Sequence, residues 1–296
     1  MSRDNKTLLN KVSDYLGYCG ISSIFVLSKA LPMRFLSFMF AILSTLLCPF
    51  IPTTRLVLKN LKFAMPEKTF PQRIRIALGV WYNLGRFIGE YPYIYRMKDN
   101  EIFNYVKISE DTKQVIDRIK NSDTGNLIFS GHISNWEAGL RALRDSNTKL
   151  NVVFRIQNNV MVDSFTTKSK ESLGIKMIAK QDNAAFKIVR ALKNKENVII
   201  LADQRDTNNG ILLNFFKRPA HTSKTIYVFT KILNIPVYGM RIVRKNSINF
   251  ELKVEKVDCI GEIIKAEFLQ GINDILEKWV REYPEQWFWV HNRWKM

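Results

Sequence analysis

Residues 127–129 are three consecutive apolar positions ended by Gly131, and beyond them Trp136, Leu140 and Leu143 recur at spacings of four and three. The first pattern predicts a short buried strand and the second one face of a helix. This change of period repeats down the chain. Strands are expected at 152–156, 176–179, 198–202 and 211–216, and helices at 160–173, 184–195 and 223–233. Residues 237–244 and 250–257 suit a late antiparallel pair, and 263–282 a long helix ahead of an aromatic tail at 286–295. Alternating strands and helices argue for an α/β fold with a mixed, largely parallel central sheet flanked by helices. No internal repeat or low-complexity linker interrupts it.

The amino-terminal part follows another pattern. Residues 1–16 are polar and mixed in charge, whereas 17–51 are apolar apart mainly from Lys29, Pro32 and Arg34. The uncharged run 35–51 falls short of the roughly 20 residues of a spanning helix. It reads as a membrane-anchoring helix that either crosses the bilayer or lies in its interface, with a buried core helix as the remaining alternative. A cleaved signal peptide does not suit it, because the apolar run comes late and no small-residue cleavage site follows. Arg55, Lys59 and Lys62 follow at once, which places the rest of the chain on the cytoplasmic side. The expected division is an anchor segment at 1–55 and an α/β domain at 56–296. Residues 53–98 look helical, with Ile74, Leu78, Trp81, Tyr82, Leu84, Ile88 and Tyr91 at helical spacings; Arg86 and Glu90, four apart, suit either a solvated or core-edge pair or a pair that supports the site.

Composition narrows the partners. A formal charge of +18 points to an anionic surface or substrate, and 46% hydrophobic residues exclude general disorder. Cys19, Cys48 and Cys259 are scattered without a CxxC pair, so neither a disulfide framework nor a zinc site is expected. No nucleic-acid motif accompanies the charge, and no nucleic-acid partner is expected.

Ligands of open α/β sheets gather at the carboxyl ends of the strands. Three polar sets fall there: His132 with Glu137, Arg155, and Asp203 with Gln204. Ser134 or Asn135 suits the cap of the helix after His132, which puts Glu137 in its positive first turn. There is no GxSxG elbow, no phosphate-binding GxxxxGK[ST] loop, no GxGxxG and no HExxH. The remaining chemistry is a histidine that deprotonates a substrate hydroxyl, with Glu137 fixing the imidazole tautomer. Arg155 suits a lipid phosphate or a developing oxyanion, or else a structural bond to Asp203. His221 and His291 read as structural. The basic positions of 184–195 read as a solvated face. Trp287, Phe288, Trp289 and Trp294 suit either an interfacial belt or packing on the sheet edge.

An ordered set of segments resembles the bacterial lipid A biosynthesis acyltransferases of the late lauroyl/myristoyl type, within the lysophospholipid acyltransferase superfamily. The set comprises NLGRFIGEYP (83–92), GHISNWE (131–137), Phe154-Arg155, LADQ (201–204), FFKRPAHT (215–222) and PEQWFWVHNRWK (284–295). The resemblance implies transfer of a fatty acyl chain from an acyl-carrier-protein thioester to a hydroxyl of a lipid A precursor of the Kdo2-lipid IV A type. It also implies a single amino-terminal anchor in an anionic bacterial inner membrane, and no cofactor or metal. His132 and Glu137 match its catalytic dyad and Asp203 its functional aspartate. Lys170 lies near the place of an important arginine, and is grouped with Arg155, Asp203 and Gln204 as a substrate contact. Lys217-Arg218 stands where the family usually has glycine. The alternatives are a glycerolipid or mannoside acyltransferase of the same superfamily, and a non-catalytic basic protein of the membrane surface.

Overall fold

The computed structural model describes residues 8–181, 183–206, 210–257 and 265–294. Four helices lead the chain: α1 (Leu8–Ala30), α2 (Met33–Leu47), α3 (Thr53–Ala64) and α4 (Phe70–Arg96). Then follow β1 (Val106–Ile108), α5 (Glu110–Lys120), β2 (Asn126–Ser130), α6 (Trp136–Asp145), β3 (Leu150–Phe154), α7 (Val160–Glu171), β4 (Lys176–Ala179), α8 (Ala184–Lys193) and β5 (Asn197–Leu201). The hairpin β6 (Ile211–Phe215) and β7 (Arg218–Thr222) precedes α9 (Thr225–Leu233), β8 (Val237–Asn246), β9 (Asn249–Val257) and α10 (Lys265–Glu282).

Seven strands form one sheet in the order β1-β9-β8-β2-β5-β3-β4. Every neighbouring pair is parallel except β8 with β9, so the fold is the mixed, largely parallel α/β sheet expected. Along β2, Leu127 and Phe129 face one layer, with Trp279 stacked on Phe129, while Ile128 faces the other. Both faces are covered by helices, which is why these strands read as continuous apolar runs.

Three elements carry no expectation from the sequence. β1 is only three residues long, too short for a period to show, and α5 is an amphipathic helix capped by Ser109 through the Thr112 N–H. β7 contains Pro219, which argues against a strand, but it sits in a two-stranded hairpin where a missing ladder donor is tolerated. The hairpin turn places Phe216 and Lys217 at φ 57° and 55°, the left-handed conformation that glycine adopts without strain. The expected start of α10 at residue 263 lies outside the described residues.

Residues 53–98 are two helices, because Pro66 follows α3 and Thr69 opens α4 with a capping box to Gln72. Among the described residues one stretch, Met33–Phe50, is long and apolar enough to cross a membrane. α2 packs closely on α4 at two glycines. A Cβ on Gly85 would lie 2.2 Å from the Phe40 carbonyl oxygen, and one on Gly89 2.7 Å from that of Leu36.

Candidate active site

The parallel register brings the candidate residues together. Ser130 at the end of β2 pairs with Leu201 at the end of β5, and Val153 of β3 is level with Ile200. His132, Asp203 and Arg155 therefore leave three adjacent strands at one height. The Ala202 N–H donates to the Ser130 carbonyl at 2.8 Å and ties the first two exits together.

His132 Nδ1 lies 2.8 Å from Asp203 Oδ1. Asp203 is 2% exposed, and its other oxygen accepts the backbone N–H of His132 at 2.8 Å and the indole Nε1–H of Trp287 at 2.7 Å. Burial alone would raise this carboxyl, but the His132 charge and these three N–H donors overcome it and hold Asp203 at about 2. An acceptor-only carboxylate on Nδ1 requires the proton there, which leaves the Nε2 lone pair turned outward. Gln204 Nε2 is 3.4 Å from that nitrogen.

Glu137 is placed differently from the expectation. Its carboxylate accepts from Tyr95 Oη and pairs with Lys170 Nζ at 3.0 Å, while the Nδ1 partner of His132 is Asp203. The reason is directional. From the first turn of α6 the Glu137 side chain reaches α4 and α7, whereas the strand register delivers Asp203 directly beside His132. Lys170 is 8% exposed and its ammonium sits 5.7 and 5.6 Å over the rings of Tyr91 and Tyr95. Burial pushes both tyrosine hydroxyls well above their ordinary values, and the Glu137 charge pushes further in the same direction.

The loop carrying His132 is held from both sides. Asn135 caps α6 by accepting the Ala138 N–H at 3.2 Å, and its Nδ2 donates to Glu90 Oε2 at 2.8 Å. Glu90 is fully buried and is gripped by Arg244 at 2.6 and 2.9 Å and by Ser37 Oγ at 2.7 Å. Arg86 and Glu90 form neither a solvated face nor a direct ion pair, but both reach Ser37 Oγ within the buried network behind the site. Both are buried, and Arg86 instead donates to Ser37 Oγ and Tyr82 Oη. On the other side the carboxyl-terminal tail forms a bridge to the loop. Ser134 N–H donates to the Gln286 carbonyl at 2.7 Å and Phe288 N–H to the His132 carbonyl at 3.0 Å. Trp287, Trp289 and Trp294 are buried, so the tail packs on the domain and is no interfacial belt. His291 accepts the Arg205 N–H at 3.1 Å, and burial lowers it to about 4, which suits a neutral structural acceptor. His221 lies on β7.

A cavity of about 610 Å³ opens beside His132. Ile21, Ile24 and Phe25 of α1, Phe87, Ile88 and Tyr91 of α4, and Leu140 and Val152 give it apolar walls. His132, Glu137, Arg155, Lys170 and Gln204 all reach its lining, with Arg155 exposed at the rim. Asp203 stands behind His132, outside the lining. The alternative bond between Arg155 and Asp203 is not made, since His132 and Trp287 occupy the Asp203 oxygens. Lys217 and Arg218 lie elsewhere, Arg218 donating to the Phe63 carbonyl. Tyr95, Trp287 and Arg244 were not singled out as site residues from sequence, where Glu90 was offered as site support only with Arg86, and only the motif segment containing Trp287 pointed near the tail contact. Among the described residues no group of three or more His, Cys, Asp or Glu is placed to hold a metal ion.

Fold and site together define a class: an α/β protein that sets a histidine, backed by a buried carboxylate, beside a largely apolar cavity at the carboxyl ends of its strands. The chain belongs to the bacterial lipid A biosynthesis acyltransferase family, whose model matches residues 3–296. It is 22% identical over 240 residues to a lipid A biosynthesis palmitoleoyltransferase of Escherichia coli (strain K12), covering 80% of this chain and 77% of that protein. A lipid A biosynthesis acyltransferase of Shigella flexneri matches with the same identity and coverage.

Proposed function

We propose that the chain is a late acyltransferase of lipid A biosynthesis, moving a fatty acyl group from an acyl-carrier-protein thioester to a hydroxyl of a Kdo2-lipid IV A-type precursor. His132 Nε2 takes the proton of the acceptor hydroxyl as its oxygen attacks the thioester carbonyl. The carbon–sulfur bond then breaks, and the imidazolium returns the proton to the departing thiolate. Asp203 holds the Nδ1–H tautomer and stabilises the imidazolium while it exists. Gln204 Nε2–H stands where it can donate to the developing oxyanion, and Arg155 at the rim meets a precursor phosphate. Glu137 and Lys170, held from behind by Tyr95, form a fixed polar patch in the slot that orients the acceptor. The domain works at the cytoplasmic face of the anionic inner membrane, where both substrates meet it.

The observation that carries this reading is His132 bound through Nδ1 to buried Asp203 at the neck of the apolar cavity. Mass spectrometry of the lipid A pool from cells with and without the protein tests it. A species heavier by one acyl chain only when the protein is present is expected; an unchanged pool contradicts the assignment.

A further inference from the structure

Both helices that flank the apolar stretch Met33–Phe50 pack on the same domain. Before it, α1 lies on α7 and α4: Asn159 Nδ2 donates to the Asp14 carbonyl at 3.0 Å, and Tyr18 and Phe25 meet Phe165 edge-on. Arg96 Nη1 donates to Ser28 Oγ at 2.8 Å, and Tyr93 Oη to the carbonyl of Leu31, the residue after α1. After it, Asn60 of α3 donates to the carbonyls of Trp289 and His291 at 2.8 and 2.9 Å. A helix that crossed a bilayer would leave its two ends about 30 Å apart on opposite sides. The inner face of α2 is committed as well, since Ser37 belongs to the buried Glu90–Arg244 network and the α2 backbone rests on Gly85 and Gly89. Its outer face presents Phe35, Phe38, Ile42 and Leu46, all exposed, followed by Phe50 at 82% exposure.

We propose that α2 and the outer face of α1 lie in the plane of an anionic phospholipid leaflet and insert these side chains between the lipids, with both chain ends on the domain's side. Charge selects that occupant. Between residues 11 and 66 the chain carries Lys11, Lys29, Arg34, Arg55, Lys59 and Lys62 against the single acid Asp14. Those six basic side chains are exposed, so an apolar face rimmed by cations meets anionic head groups. The placement also relates the leaflet to the cavity. Ile21, Ile24 and Phe25 wall the cavity from within, while Val26 and Leu27 of the same helix face outward. α1 thus stands between the proposed leaflet and the cavity. This inference does not depend on which acceptor the cavity takes.

Two measurements test it on the full chain. In vesicle flotation, adding an anionic phospholipid to a zwitterionic one should strengthen binding, and Phe38→Asp combined with Leu46→Asp should weaken it roughly tenfold or more, as expected for two lost apolar insertions. Near-UV circular dichroism verifies that the variant is folded. Unchanged binding by the folded variant, or self-association through this face without vesicle binding, would overturn the proposal. For topology, Lys11→Cys and Lys256→Cys are made separately in a chain with the native cysteines replaced by alanine. Each is exposed to a membrane-impermeant maleimide in inverted and right-side-out vesicles. Labelling of both from one side is expected. Labelling from opposite sides would show a spanning helix and refute the in-plane arrangement.

Discussion

Replacing Asp203 by Asn removes one charge while keeping the side chain's size. The buried carboxylate accepts three N–H groups, from the His132 ring, the His132 backbone and the Trp287 indole. An amide offers one oxygen and turns its NH2 toward a donor, so at least one charge-assisted hydrogen bond is lost, at a cost of about 1.5–3 kcal/mol. A folded but less stable protein is expected, because net stabilities of domains exceed that loss. Catalysis suffers more. Without the anion behind it the imidazolium is no longer stabilised, and Nδ1 has no obligatory acceptor to fix the tautomer. A fall of about 10²–10⁴-fold in kcat is expected, with little change in KM, because the interaction strengthens only as the base charges. The assay is acyl transfer from acyl carrier protein to the purified precursor, run beside Glu137→Gln. Asp203 touches the base and Glu137 does not, so the Asp203 variant should lose more kcat, while Glu137→Gln should act on KM through the polar patch. Near-normal kcat in folded Asp203→Asn, or a larger kcat loss from Glu137→Gln, would refute the assignment of roles.

Other consequences are quicker to check. Because Asp203 sits at about 2, below the ordinary carboxylate value, its stabilisation is complete above about pH 4 and is lost as pH falls toward 2. That amounts to roughly 2 kcal/mol; thermal melts of the wild type should show it, and those of Asp203→Asn should not. His291, lowered to about 4 by burial, costs stability progressively as pH falls from about 6.5 to 4, so His291→Gln should flatten the melting curve in that interval. Arg244→Met leaves Glu90 buried without its cation and should destabilise by about 3–5 kcal/mol in denaturant titration. Lys217→Gly relieves a left-handed turn residue and should raise stability by about 1 kcal/mol; a loss would contradict the turn geometry.

The periodicity of the chain was enough to locate the strands whose carboxyl ends carry His132, Arg155 and Asp203, since buried parallel strands write themselves as apolar runs. It did not reveal which carboxylate stands behind the histidine. Glu137 is five residues from His132 and in a favoured helix turn, so proximity along the chain argued for it. The contact with Asp203 spans 71 positions and follows from the Ser130–Leu201 register, which no local pattern encodes. The tail was ambiguous for a different reason. Tryptophan suits both a membrane interface and a packed core, and only the Trp287 bond to Asp203 with the burial of Trp289 and Trp294 decides it. Likewise Glu90 pairs with Arg244, 154 positions away, and not with the helical neighbour Arg86.

The central claim is that His132 is the base for acyl transfer to a lipid A precursor. It is tested most directly by incubating purified wild type and His132→Ala with acyl-acyl carrier protein and precursor, and weighing the lipid product. The account predicts a product heavier by one acyl chain with the wild type and essentially none with the folded, vesicle-binding His132→Ala variant. Full product from that variant would contradict it.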